Sequence, residues 1–260
     1  MNGVSDDLRA IVHTSLLTPS PISRYRGGQV RRALHGDVSL IADGGIGPDF
    51  NNVLVLGPAR PENVFALAEE FFGGAGGYSV VVEVETAQPV EAALQGRGWT
   101  MDEEEPALVL PHLPAEIPPP PAGLTIRWVT DESGFGDFQA VSTTAYVPSL
   151  AAATDADVAL FVGSVDGKPT ATSRLVRLGS IAEISSVVTE PEYRRRGFGA
   201  ALTWAAIAEG VRRGCATAML TATELGYPVY VRMGFLPVCT YRTYLPPSGA
   251  GSEFRVPGSE

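Results

Sequence analysis

Residues 182–200 decide the reading of this chain: Ala182-Glu183-Ile184-Ser185-Ser186-Val187-Val188-Thr189-Glu190-Pro191-Glu192-Tyr193-Arg194-Arg195-Arg196-Gly197-Phe198-Gly199-Ala200. An apolar strand runs to a turn at Pro191, and a basic, glycine-bearing segment then opens a helix. That helix carries Leu202, Ala205, Ala206 and Val211 at helical spacing and stops at Gly214. The first turn of a helix offers unpaired N–H groups and the positive end of its dipole, so it attracts phosphate. Gly197 and Gly199 have no Cβ to hold a ligand off the backbone. Arg194, Arg195 and Arg196 add charge and forked donors. The segment reads as a pyrophosphate site. It lacks the Gly-Lys-Ser/Thr of a mononucleotide loop, and Gly197-Phe198-Gly199 is too short for a dinucleotide fingerprint.

The spacing Arg194-x-x-Gly197-x-Gly199 resembles the acetyl-CoA signature of the GNAT superfamily of N-acetyltransferases. Other segments resemble that family in the right order. Residues 124–130 and 138–146 match its first strand and helix. Residues 160–163 and 170–178 read as two strands joined across Asp166-Gly167-Lys168-Pro169. A further strand at 216–220 precedes Val229-Tyr230-Val231-Arg232-Met233-Gly234-Phe235, similar to the family's Leu-Tyr-x-x-x-Gly-Phe. The likeness spans residues 121–247.

The resemblance implies an α/β fold in which a central twisted sheet is flanked by helices. It also implies an acyltransferase that moves acetyl from acetyl-CoA to a primary amine by direct attack in a ternary complex. Residues 194–200 (the three arginines, Gly197, Phe198, Gly199 and Ala200) would hold the pyrophosphate. Backbone groups of Val187, Val188 and Thr189 would hold the pantetheine arm, with the Val187 N–H toward the developing oxyanion. Strand alternation puts Glu183, Ser185 and Val187 on one face and Ile184, Ser186 and Val188 on the other, with a bulge disturbing the register. Tyr230 corresponds to the tyrosine beside the sulfur, where a phenol with a pKa of about 10 stays protonated and can serve the departing thiolate. Glu183 lies eleven residues before Arg194, the separation found in the histone-acetylating branch, and is the candidate base; a water chain is the alternative. Thr223 stands where many members carry a pantetheine-contacting asparagine, which puts that contact in doubt. Two rival readings share the phosphate loop: a non-catalytic acyl-CoA-binding sensor or scaffold, and an acetyltransferase acting on a protein or aminoacyl-tRNA.

The 260 residues suffice for two modest domains. A net charge of −10 opposes nucleic-acid binding, which relies on basic residues neutralising phosphates. No apolar run approaches the roughly 20 residues of a membrane span. The acidic start, Met1 to Asp7, precedes no signal-peptide core. Cys215 and Cys239 form no C-x-x-C and read as core residues of a cytoplasmic protein. His13, His35 and His112 show no ligand spacing, so no metal is expected. The acceptor is read as a small-molecule amine, its pocket built from loops such as 146–155, and a homodimer is compatible with the sequence.

Shifting the chain by 136 residues aligns its halves. Residues 52–55 fall on 188–191, 64–68 on the helix at Ala200, 79–83 on 215–219, and Gly98-Trp99 on Gly234-Phe235. Pro58, Pro61 and Asn63 then replace Arg194, Gly197 and Gly199. The sequence thus reads as tandem GNAT folds: residues 1–111 a degenerate copy without a cofactor site, 112–123 with its run of four prolines a stiff linker, 124–247 the catalytic domain, and 248–260 a flexible tail.

Overall fold

The computed structural model describes residues 6–45, 47–73, 77–142 and 147–247. The expected tail at 248–260 and the end of the helix expected over 138–146 lie outside them. In chain order the elements are α1 (Asp6–Leu17), a 3-10 turn (Pro21–Tyr25), β1 (Val30–His35), β2 (Val38–Asp43), β3 (Asn51–Val55), α2 (Pro61–Phe72), β4 (Ser79–Glu83), α3 (Gln88–Gly96) and β5 (Thr100–Leu110). There follow β6 (Thr125–Trp128), α4 (Glu132–Val141), α5 (Leu150–Ala153), β7 (Val158–Val165), β8 (Lys168–Leu178), β9 (Ile181–Thr189), a 3-10 turn (Pro191–Tyr193), α6 (Phe198–Arg212), β10 (Thr217–Thr221), α7 (Tyr227–Arg232) and β11 (Leu236–Leu245).

Two compact units result, and they are not consecutive in the chain. The first comprises Met1–Tyr25 and Leu108–Val238; the second comprises Arg26–Ala107 and Cys239–Glu260. The division expected at 111 and 124 is therefore not the division into compact bodies. The reason lies in strand supply. β11 follows α7 in sequence but pairs antiparallel with β4, with Tyr241 opposite Glu83 and Tyr244 opposite Val80. The end of β5, residues 108–110, falls in the first unit, where β5 neighbours β10.

In the first unit the strand order is β5-β10-β9-β8-β7-β6. β6 to β9 are antiparallel neighbours, and β9 and β10 run parallel. α6, rich in alanine and hence a strong helix former, packs Leu202, Ala206 and Ile207 onto Leu175, Ala182 and Ile184. Alternation sends Met219, Glu183 and Ser185 to the other face, where α4 packs on β7 and β8 and α1 on β9 and β10. α1 had been counted with the N-terminal domain. Its Val12 is fully buried, and the 3-10 turn after it is tied down by Tyr25, whose hydroxyl donates to Asp155 Oδ2 at 2.7 Å. The proline-rich stretch also belongs here. Leu113 N–H donates to Ala216 O at 3.3 Å, and Ile117, Pro118 and Pro120 line a groove of about 410 Å³ with Ala201, Ala205 and Trp128.

The second unit repeats the element sequence of the first. Its β1, β2, β3, α2, β4, α3 and β5 follow the order of β7, β8, β9, α6, β10, α7 and β11. β3 and β4 are again the parallel pair. Val53, Val55, Val64, Ala68, Val80 and Val82 form its core. The strand alignment needs a correction, however. Val53 and Val55 face α2 as Ala182 and Ile184 face α6, so residues 52–55 match the start of β9 and not 188–191. Ile184 and Leu202 are eighteen residues apart, Val55 and Val64 nine. Among the described residues, the end of β9 that extends past its pairing with β10 and the basic turn have no counterpart in the second unit.

A buried polar latch holds β11 in the second unit. Glu91 accepts from Tyr244 Oη and from Arg242 Nη1, both at 2.6 Å. Arg242 Nε also donates to Glu104 at 2.6 Å, and Gln95 Nε2 donates to Tyr244 Oη at 3.1 Å. Burial alone would raise the Glu91 carboxyl. The hydrogen bonds from Tyr244 and Arg242 and the Arg242 charge outweigh it and hold the group below the usual carboxylate range. A depressed folded pKa means the stabilisation is complete at neutral pH and is lost as pH falls through that value. Glu91→Ala should cost about 2–4 kcal/mol at pH 7 and much less near pH 3. Urea titrations at the two pH values measure both.

Candidate active site

β9 and β10 pair only at their beginnings, from Thr217 opposite Ile181 to Met219 opposite Glu183. Both continue beyond that point, to Thr189 and Thr221, so the sheet opens between them. A bulge in β9 accompanies the opening. Its register against β8 passes from Arg174 opposite Ser185 to Val188 opposite Thr172, leaving one residue too many on β9. Ser186 takes φ 49°, an uncommon value for a non-glycine residue, and its carbonyl accepts from Thr172 Oγ1 at 2.9 Å.

The bulge reverses the alternation. Val187 packs with the core on the α6 side, not beside Glu183 and Ser185 as simple alternation predicts. A Cβ built on Gly199 would meet Thr189 Oγ1 at 3.6 Å and Val187 Cγ1 at 3.8 Å, so the end of β9 lies against the first turn of α6. Gly197 caps that helix with φ 80°, which a side chain disfavours, and offers no side-chain cap. The first helical bond runs from Ala201 N–H to Gly197 O at 3.0 Å. The N–H groups of Phe198, Gly199 and Ala200 precede it and belong to the unpaired first turn.

Around this turn the arginines are ordered by their own loop. Arg194 Nε donates to Thr189 O at 3.1 Å, and Arg196 Nη2 donates to Glu192 O at 3.3 Å while stacking over Tyr193. Arg195 sits at φ 61°. Lys168 adds a fourth cation, paired with Glu192 at 3.2 Å. The sequence reasoning had not counted it, since it arrives from the β7–β8 hairpin.

Tyr230 lies on the α6 side, 7% exposed, with its ring edge-on to Phe235 at 5.9 Å. Gly226 makes room for it: a Cβ there would stand 2.9 Å from Tyr230 Cε2. Thr223 closes the turn that precedes this helix, its hydroxyl accepting from Gly226 N–H at 3.3 Å and its carbonyl from Tyr227 N–H at 2.9 Å. Glu183 is half-buried on the opposite face, at the last paired position before the strands part. The site residues thus divide. Val187, Thr189, residues 194–200 and Tyr230 lie on the α6 side, and Glu183 lies across the opening from them.

Among the described residues no group of three or more His, Cys, Asp or Glu could hold a metal ion, and no helix is long and apolar enough to cross a membrane. Cys215 and Cys239 are buried free thiols, and burial pushes the Cys215 thiol up.

Comparison with known proteins agrees with this geometry. Residues 126–235 match the model of the acetyltransferase (GNAT) family; the chain carries a GNAT acetyltransferase domain over that stretch. The fold of the whole chain is similar to that of a GCN5-related N-acetyltransferase from Kribbella flavida, at 20% identity and TM-score 0.72, covering 98% of this chain and 100% of the other. A tandem GNAT protein from the clavulanic acid biosynthesis pathway is similar at 14% identity and TM-score 0.54, covering 93% and 95%. A GCN5-related N-acetyltransferase from Sphaerobacter thermophilus is similar at 16% identity and TM-score 0.55, covering 82% and 81%. No curated protein matches the sequence. The tandem GNAT fold expected from the sequence is the fold observed.

Filling the space beside Tyr230 tests the geometry directly. Gly226→Ala leaves the backbone unstrained, since φ is −80°, but forces the ring to move. Thermal unfolding should show a loss of about 1–3 kcal/mol; an unchanged midpoint would mean the ring has slack.

Proposed function

We propose that this protein transfers acetyl from acetyl-CoA to the primary amine of a small molecule. The parting of β9 and β10 beyond Glu183 carries the reading, because it opens a passage through the sheet beside a helix first turn suited to phosphate. The first-turn N–H groups of α6 and the side chains of Arg194, Arg195 and Arg196 hold the pyrophosphate. Backbone groups of Val187, Val188 and Thr189, no longer engaged by β10, hold the pantetheine. The thioester then lies in the opening and is approached from the Glu183 face.

Glu183 accepts a proton from the incoming ammonium, directly or through water. The freed amine nitrogen attacks the thioester carbon, and the Val187 N–H stabilises the oxyanion. The C–N bond forms and the C–S bond breaks. Tyr230 donates a proton to the thiolate leaving as coenzyme A, and the second proton that the attacking nitrogen sheds passes through water to restore the phenol. Positioning both reactants in one ternary complex supplies most of the acceleration. The Thr223 hydroxyl is engaged by the turn before α7 and contributes to the pantetheine only weakly.

The second unit serves as a degenerate copy. β3 stays paired to its last residue, Val55 opposite Val82, so no opening forms there. Pro61 brings no N–H to the first turn of α2. Acetyl-CoA supply and the two free thiols suit a reducing cytoplasm.

Two variants test the reading. Gly199→Asp has room for its Cβ and suits a helix first turn, but sets a carboxylate against phosphate. It should fold normally and lose acetyl-CoA affinity by roughly 10- to 100-fold in calorimetry; unchanged affinity would remove the loop assignment. Tyr230→Phe keeps the packing. It should lower kcat by about 10- to 100-fold with the acetyl-CoA Kd nearly constant, and equal loss of both would reduce the tyrosine to a core residue. Binding without turnover in the unaltered protein would favour a sensor.

A further inference from the structure

Strand β8 carries buried hydroxyls on both of its faces. Thr170, Thr172 and Ser173 are fully buried, an uncommon setting for such residues. Each donates to a backbone carbonyl of another element: Thr170 Oγ1 to Gly163 O at 3.1 Å, Thr172 Oγ1 to Ser186 O at 2.9 Å, and Ser173 Oγ to Leu202 O at 2.8 Å. Of the three, the Thr172 bond is the one that reaches the bulge. Ser173, Ala171 and Leu175 face α6, so alternation puts Thr172 on the opposite face, with Glu183 and Ser185. The Ser186 carbonyl and the Val187 N–H belong to one peptide group. That peptide is not cis, and in a planar trans peptide the two groups point in opposite directions. Because the carbonyl is drawn to Thr172 on the Glu183 face, the Val187 N–H points to the α6 face, where the helix first turn and Tyr230 lie. The register with β8 resumes only at Val188 and the register with β10 ends at Glu183, so regular pairing does not fix this peptide. Ser186 holds φ 49°, a conformation that a non-glycine residue keeps only where its surroundings impose it.

The geometry points to Thr172 as a positioning residue: its hydroxyl holds the Ser186–Val187 peptide so that the Val187 N–H meets the thioester oxygen. This rests on the acetyl-transfer reading and gives its oxyanion donor a fixed support. A donor that is already aimed stabilises developing charge without having to turn during the reaction. Once the hydroxyl is removed, the carbonyl loses the bond that draws it to the Glu183 face, and the N–H on the same peptide loses its aim.

Three variants of the full chain test this. Thr172→Val keeps the branched shape and strand preference but deletes the hydroxyl, and Thr172→Ser keeps the hydroxyl. Thr170→Val is the control, since it deletes a buried hydroxyl on the same face that bonds β7 instead. Each is loaded with acetyl-CoA isotopically labelled at the thioester carbon, and the carbonyl stretch is read by isotope-edited infrared spectroscopy, which needs no acceptor. A hydrogen bond from the Val187 N–H lowers that stretch relative to free acetyl-CoA. The lowered stretch should appear in the unaltered protein, Thr172→Ser and Thr170→Val, and should return to the free value in Thr172→Val, with the acetyl-CoA Kd held within about tenfold. Coenzyme A release with a panel of primary amines should fall in kcat by roughly 10- to 100-fold in Thr172→Val alone. An unshifted carbonyl in the unaltered protein, a shift that survives Thr172→Val, or one lost equally in Thr170→Val would overturn the role of Thr172 and leave acetyl transfer in place. The expected shifts with no coenzyme A released to any amine would overturn acetyl transfer while upholding the Thr172-held peptide. No binding of acetyl-CoA would overturn both.

Discussion

The parting of β9 from β10 is the constraint on which the site depends. A parallel pair normally satisfies its backbone groups along its whole length, and leaving them unpaired inside a domain is costly unless something else takes the bonds. The bulge at Ser186 accompanies the departure, and the Ser186 carbonyl accepts a hydrogen bond from Thr172 Oγ1 on β8. The same bulge turns Val187 toward α6, so the end of the strand meets the helix first turn. One extra residue thus brings the end of the strand against the helix entry.

The second unit shows the same architecture without that residue and its consequences. Its β3 ends where its pairing with β4 ends, and its helix follows after a short connection. What separates the two copies is the segment between strand and helix, not the core. Both cores pack alternating strand residues against one helical stripe, and such packing does not involve the segment between strand and helix.

Much of this was legible in the chain. The turn at 194–197 and the helix after it follow from glycine spacing and local periodicity, which act over a few residues, whereas Tyr230 stands out only through the resemblance of residues 229–235 to a family segment. The bulge was anticipated, but its effect on Val187 was not, because a register is a property of two strands. The ungapped alignment of residues 52–55 with 188–191 failed for a related reason: hydrophobic strands look alike, and only pairing partners fix their equivalence. The seats of α1 and β11 join residues far apart in sequence. No local signal reports such contacts.

The crossed supply of strands also bears on how the chain assembles as it is made. β4 lacks its second neighbour, β11, until residues 239–245 have emerged, and α1, made before β9 and β10, must wait for them. Contacts of such long sequence separation are slow to form, because the loop entropy is lost before the contacts reward it. During that wait an unfilled sheet edge invites pairing with a neighbouring chain. The acidic run Asp102, Glu103, Glu104 and Glu105 on β5 is suited to this interval, since like charges keep waiting strands of separate nascent chains apart.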